Sequence, residues 1–157
     1  MKRALIIDDE PLARMVVKEY LQNFDQIEVI QECNDGFEGV KAIARYEPDL
    51  IFLDYNMGSL NGIETLKKIK RFNPNSLVVF ISGQEEIAVA VNALKYGAFD
   101  YLVKSEVDEL KLKTVMEKAY ALNTLLEKNR KKSGLRKLLS SVGLSGVIFF
   151  IYKHFAK

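Results

Sequence analysis

Apolar positions follow two different periods along the first 120 residues. Runs without polar alternation at 4–7 (Ala-Leu-Ile-Ile), 50–53 (Leu-Ile-Phe-Leu) and 77–81 (Leu-Val-Val-Phe-Ile) have strand length. They predict strands buried on both faces, as in the centre of a parallel sheet. Residues 27–33 set Ile27, Val29 and Gln31 against Glu28, Ile30 and Glu32, which predicts a further strand, and 99–103 predicts a fifth. Between these runs the period becomes three and four. Leu12, Met15, Val16 and Leu21 share a face after Pro11; Phe37, Val40, Ile43 and Ala44 point inward from 35–46; Ile63, Leu66 and Ile69 do so from 61–72. A fourth helix over 86–96 is closed by Gly97. Strands alternating with helices imply right-handed crossovers and an α/β fold, a doubly wound five-stranded parallel sheet with flanking helices.

A C-terminal helical extension follows. From Glu106 the spacing of Leu112, Val115, Ala119, Leu122 and Leu126 predicts a long helix that nothing breaks before Ser133-Gly134. Ser105 and Asp108 are placed to cap its start. The organisation expected is a domain over 1–122, a basic helical linker over 123–134 and a hydrophobic helix over 135–157. Within the last, 138–152 carries no charge and is flanked by Arg136, Lys137, Lys153 and His154. As a helix it would reach about 22 Å, short of the roughly 30 Å hydrocarbon core. Three destinations stay open for it: a membrane surface, a partner helix or second copy in a homodimer, and the chain's own domain.

Composition narrows the picture slightly. The 157 residues carry 23 basic and 21 acidic side chains, a net charge of +2, so the whole chain gives no electrostatic case for nucleic acid. Too few residues remain after 122 for a helix-turn-helix module, and no nucleic acid is expected as a partner. The single Cys33 forms no internal disulfide and fits a reducing, cytoplasmic setting. Met1-Lys2-Arg3 runs directly into a strand and does not read as a signal peptide.

The chemistry sits where the strands stop. Asp8 and Asp9, Asp54, Ser82 and Lys104 each follow an apolar run, and a parallel sheet brings those ends to one edge. Carboxylates crowded there favour a hard divalent cation, and oxygen-only ligands suit magnesium better than zinc. Asp54 then becomes a carboxylate nucleophile able to take a phosphoryl group, with Lys104 and Ser82 contacting the phosphoryl oxygens. Each residue alone has a plainer reading: Asp9 as a helix cap before Glu10-Pro11, Ser82 as a capping box with Glu85, Asp54 as a turn residue, Lys104 as a solvated charge. Four strand ends offering the required groups together favour the chemical reading.

With these residues in hand, the chain from about Lys2 to Tyr120 resembles the receiver domain of two-component response regulators. The resemblance implies a flavodoxin-like sheet of strand order 2-1-3-4-5. It implies Asp54 as the phosphoacceptor, Asp9 and Asp54 as direct magnesium ligands, Asp8 holding metal-bound water and the Asn56 backbone carbonyl completing the Mg2+ site. It further implies Ser82 and Lys104 as phosphate contacts, and Ser82 and Tyr101 as the switch that reports phosphorylation. A histidine kinase or phosphotransfer protein would be the donor and a downstream protein the target, with no separate DNA-binding or enzymatic output domain. A phosphorylation-independent docking or oligomerisation module is the alternative.

The sequence departs from that pattern in two loops. Met57-Gly58 stands where receivers usually carry Met-Pro, which leaves the loop more permissive. Lys104-Ser105 stands where they usually carry Lys-Pro with a cis bond; without proline a trans bond is expected.

Overall fold

The computed structural model describes residues 2–58, 60–83 and 87–141. Five parallel strands, β1 (Lys2–Ile7), β2 (Ile27–Cys33), β3 (Leu50–Leu53), β4 (Leu77–Ser82) and β5 (Asp100–Val103), form one sheet in the order β2-β1-β3-β4-β5. This is the doubly wound, flavodoxin-like arrangement expected. Every residue of β3 and β4 is buried, because these strands have neighbours on both edges and helices over both faces. β2 lies at the edge, and its middle residues are only partly covered. Its pairing with β1 slips in register between Ala4 and Leu5, an irregularity absent from the inner ladders.

The helices α1 (Pro11–Gln22), α2 (Gly36–Tyr46), α3 (Gly62–Phe72) and α4 (Ile87–Lys95) fill the crossovers. Local chemistry fixes their ends. Asp35 accepts from the Glu38 backbone N–H and Asn61 from that of Glu64, satisfying donors a helix start leaves orphaned. After α4, Gly97 takes φ +94°, a backbone conformation that suits glycine. Leu66, Ile69 and Ile43 bury fully against Leu5, Ile7, Leu53, Val78 and Phe80, making one continuous core.

Two expected faces are corrected. α1 buries Val17 and Leu21, while Leu12, Met15 and Val16 are exposed; Leu12 shows 65% of its surface. α2 buries Ala42 and Ile43 and leaves Phe37 outside at 50%. In both helices the apolar stripe is wider than the strip the sheet covers, so a period alone does not say which edge goes inward.

Among the described residues all peptide bonds are trans, Lys104-Ser105 included. Lys104–Glu106 forms a short 3-10 turn, and the next helix, α5 (Glu109–Ser141), starts later than expected. Its cap is Asp108, which accepts from the Lys111 backbone N–H, rather than Ser105. Helix also continues through Ser133-Gly134, where a break was expected; a single glycine costs only about 1 kcal/mol in a helix interior. The chain divides into two compact units, Met1–Val115 and Met116–Lys157. In the first, Leu112 and Val115 are buried; in the second, Leu125 and Leu126 are exposed. The tail expected over 135–157 lies outside the described residues from 142 onward. Among the described residues no helix is long and apolar enough to cross a membrane.

Candidate functional site

The carboxyl ends of β1 and β3 lie side by side because Ile7 pairs with Leu53. The next residue of each strand is therefore an aspartate beside an aspartate. Asp8 and Asp54 are both buried, whereas Asp9 is exposed at the rim. One carboxylate oxygen from each of the three lies within 4.8 Å of the others. The backbone pins the loops that carry them: Asp54 N–H donates to Ile7 O at 2.8 Å, and Asp8 N–H to Cys33 O at 3.1 Å. Asp8 Oδ1 accepts from the Glu10 N–H at 2.8 Å, which turns the chain into α1.

Lys104 arrives from the end of β5 and reaches across this edge. Its Nζ lies 2.8 Å from Asp8 Oδ2, 3.4 Å from Asp54 Oδ1 and 3.5 Å from Glu10 Oε2. Burial alone would lower the Lys104 pKa, but the hydrogen bond to Asp8 and the charges of Asp54, Asp8 and Glu10 outweigh it and raise the value. Asp54 moves upward as well. Its burial and the Asp8 charge disfavour ionisation more than Lys104 and the Asn56 backbone N–H favour it. Asp54 is only 3% exposed, and its Oδ1 is buried without a hydrogen bond. The Lys104 charge 3.4 Å away offsets part of the cost of burying this oxygen, but without a hydrogen bond the rest is not recovered.

Asp54 borders a hollow of about 490 Å³, lined also by Asp9, Glu10, Asn56, Gly83 and Lys104. Ser82 closes β4 beside Val103 and is wholly buried; Gly83, the next residue, lines the hollow. Tyr101 stands apart from it, its ring stacked on Phe80 with centroids 6.4 Å apart and planes 17° apart. The hollow thus gathers Asp9, Asp54, Asn56 and Lys104 with Asp8 alongside, while Tyr101, half-buried, lies beside Phe80 across the β4–β5 pair and does not line it.

Sequence reasoning assigned no role in the site to three features. Glu10, the third consecutive acid, pairs with Lys104. Met57 is 3% exposed and anchors the loop after Asp54 into the core, although Asn56 and Gly58 on either side are exposed. A second hollow, about 250 Å³ and mostly apolar, lies beside the first, lined by Glu10, Leu12, Ala13, Val16, Val17, Ile81, Lys104 and Val107. The apolar run at 12–17 was the available signal for it, read instead as core.

Residues 4–117 match the response regulator receiver domain. The chain belongs to this family. Among relatives, this receiver is 33% identical over 148 residues to an uncharacterized response regulatory protein of Yersinia pestis, covering 93% of this chain and 59% of that one. It is 35% identical over 116 residues to the transcriptional regulatory protein BtsR of Escherichia coli, covering 74% of this chain and 47% of that one. The chain therefore spans only about half the length of these curated relatives. Among solved structures, the signal receiver domain of the response regulator NarL from Mycobacterium tuberculosis superposes with a TM-score of 0.70 at 28% identity, covering 76% of this chain and 96% of that one. Receiver domains hold magnesium in an acidic pocket, and the donor set here fits that ion: oxygen ligands only, one of them a buried oxygen without a hydrogen bond.

Proposed function

We propose that this receiver takes a phosphoryl group onto Asp54 from a phosphohistidine of a histidine kinase or phosphotransfer protein, in a magnesium-dependent reaction, and signals by contacts that change as a result. The observation that carries the reading is the buried Oδ1 of Asp54, without a hydrogen bond and 3.4 Å from Lys104 Nζ, on a residue that lines a hollow. A carboxylate held this way is poorly solvated, and the hollow that Asp54 lines gives an electrophile room beside it.

Asp8, Asp9, Asp54 and the backbone carbonyl of Asn56 would hold the metal. When bound, magnesium supplies positive charge to the carboxylates and to the oxygens of the transferring group. The remaining work falls to the protein. Asp54 attacks phosphorus through a carboxylate oxygen as the P–N bond to the donor histidine breaks and its electron pair returns to the ring nitrogen. Lys104 moves from its carboxylates to the phosphoryl oxygens, and Ser82 turns its hydroxyl toward the same group. Each displacement alters packing next to β4 and β5. Tyr101, stacked on Phe80 of the neighbouring strand, is placed to register the change and present it to a downstream protein.

The exposed apolar side chains of Leu12 and Val16, together with Val107, border the hollow beside the site and suit a protein donor better than a small molecule. Nucleic acid has no part in this reading. The cytoplasm supplies such donors, and the uncharged 138–152 stretch is read as a segment that attaches the receiver to a membrane surface. The test is the intact mass after incubation with magnesium and a small phosphodonor: a gain of one phosphate is expected in the wild type and no gain in Asp54→Asn. Equal gain in both proteins would place the phosphate elsewhere and remove the assignment.

A further inference from the structure

The geometry points to Glu10 as a specificity residue for the phosphodonor, its carboxylate accepting from the distal ring N–H of a protonated phosphoimidazole while Lys104 donates to the phosphoryl oxygens. The inference rests on Asp54 being the acceptor. Glu10 is the N-cap residue of α1, yet its side chain makes no capping hydrogen bond, and 58% of that side chain is exposed. Nothing in the helix start requires its carboxylate. What the position does provide is a place on the rim, because among the described residues Glu10 and Lys104 line both the acidic hollow holding Asp54 and the apolar hollow beside it.

The rim therefore carries an anion and a cation side by side, 3.5 Å apart. A phosphoimidazole protonated on its second nitrogen has the matching polarity, an anionic phosphoryl group joined to a cationic ring. With the phosphoryl group in the hollow beside Asp54, its ring would emerge at the rim and lean toward the apolar side chains of Leu12, Ala13 and Val16. A carboxylate there favours the protonated ring, which is the better leaving group. As the P–N bond breaks its electron pair returns to the ring nitrogen, the P–O bond to Asp54 forms, and a neutral imidazole departs with its proton still on the distal nitrogen. No further proton or co-reactant is needed. An acyl phosphate has no such N–H and brings only negative charge, so Glu10 gives it no help.

The test compares two donors, monophosphoimidazole and acetyl phosphate, with magnesium present, by following phosphate gain on Asp54. In Glu10→Gln the ratio of the two rate constants should shift about tenfold against monophosphoimidazole, the size of a charge-assisted hydrogen bond in a half-exposed site. Glu10→Asp, which keeps the charge, should recover most of the ratio. Releasing Lys104 from Glu10 would alter both donors alike and cancel in the ratio, so an equal change with both donors, or an unchanged ratio, overturns the proposal. If the wild type takes phosphate from neither donor, the acceptor reading itself fails, an outcome separate from failure of the ratio.

Discussion

Asp54 and Asp8 show how a functional arrangement strains the resting molecule. Two buried carboxylates share one lysine, and the Asp54 pKa is raised chiefly by its burial and then by Asp8. Since its pKa in the fold lies above that in the unfolded chain, the stability this group contributes is fully present below the unfolded value and is lost as pH rises through the folded value. Without metal, Asp54→Asn should therefore be more stable than wild type at pH 7, with the gap closing as pH falls through the carboxylate range; thermal unfolding across that range measures it. Magnesium should reverse the order by stabilising the wild type and having little effect on the variant. The acids and the lysine were legible because each follows an apolar run whose direction the sheet fixes. Glu10 was not, because its partner Lys104 lies 94 positions away and only the closed sheet brings them together. Cys33, by contrast, is inert: burial, with the nearby Glu38 and Asp35 charges, pushes its thiol up to about 12.

Among the elements, the loop from Asp54 to α3 is one of the two whose sequence departs from the expected family pattern, and two glycines there do opposite work. A Cβ on Gly62 would lie 2.4 Å from Asp54 O and 2.7 Å from Tyr55 Cα, both backbone atoms that cannot yield cheaply. Gly62→Ala should cost about 1–3 kcal/mol and displace the loop that carries Asp54; chemical denaturation reads the first and loss of the proposed phosphate uptake the second. A Cβ on Gly58 would meet nothing within 4 Å, and its φ is not in the left-handed region. Gly58→Ala should therefore stabilise the protein by about 0.4–1 kcal/mol by restricting the unfolded chain. The expected permissiveness of this loop thus narrows to the exposed tip, because Met57 and Leu60 on either side are buried. Strands β3 and β4 were readable from continuous apolar runs, whereas the outward turn of α1 was not. The exposed side chains of Leu12, Met15 and Val16 look like core in sequence and become a surface only when Val17 and Leu21 claim the sheet.

At the scale of the whole molecule, the first unit carries the receiver site and the second carries the basic run from Lys128 to Lys137 and the uncharged stretch after it. Sequence alone could order the five strands only through the family resemblance, since hydrophobic period says nothing of which strands are neighbours. For the tail, sequence left three destinations open because fifteen uncharged residues are too few to span a bilayer and too apolar to lie in water. Flotation with anionic liposomes should carry the full chain and not a version ending at Asn129; equal flotation of the two would remove the membrane reading and favour self-association or a partner helix. Neither outcome bears on the acceptor. That claim is tested most directly by treating the protein with magnesium and acetyl phosphate, reducing it with borohydride, and sequencing its peptides by mass spectrometry. An aspartyl phosphate is reduced to homoserine, so the account predicts homoserine at position 54 and unmodified aspartate at positions 8 and 9. Homoserine at either of those positions, or none at 54, would contradict it.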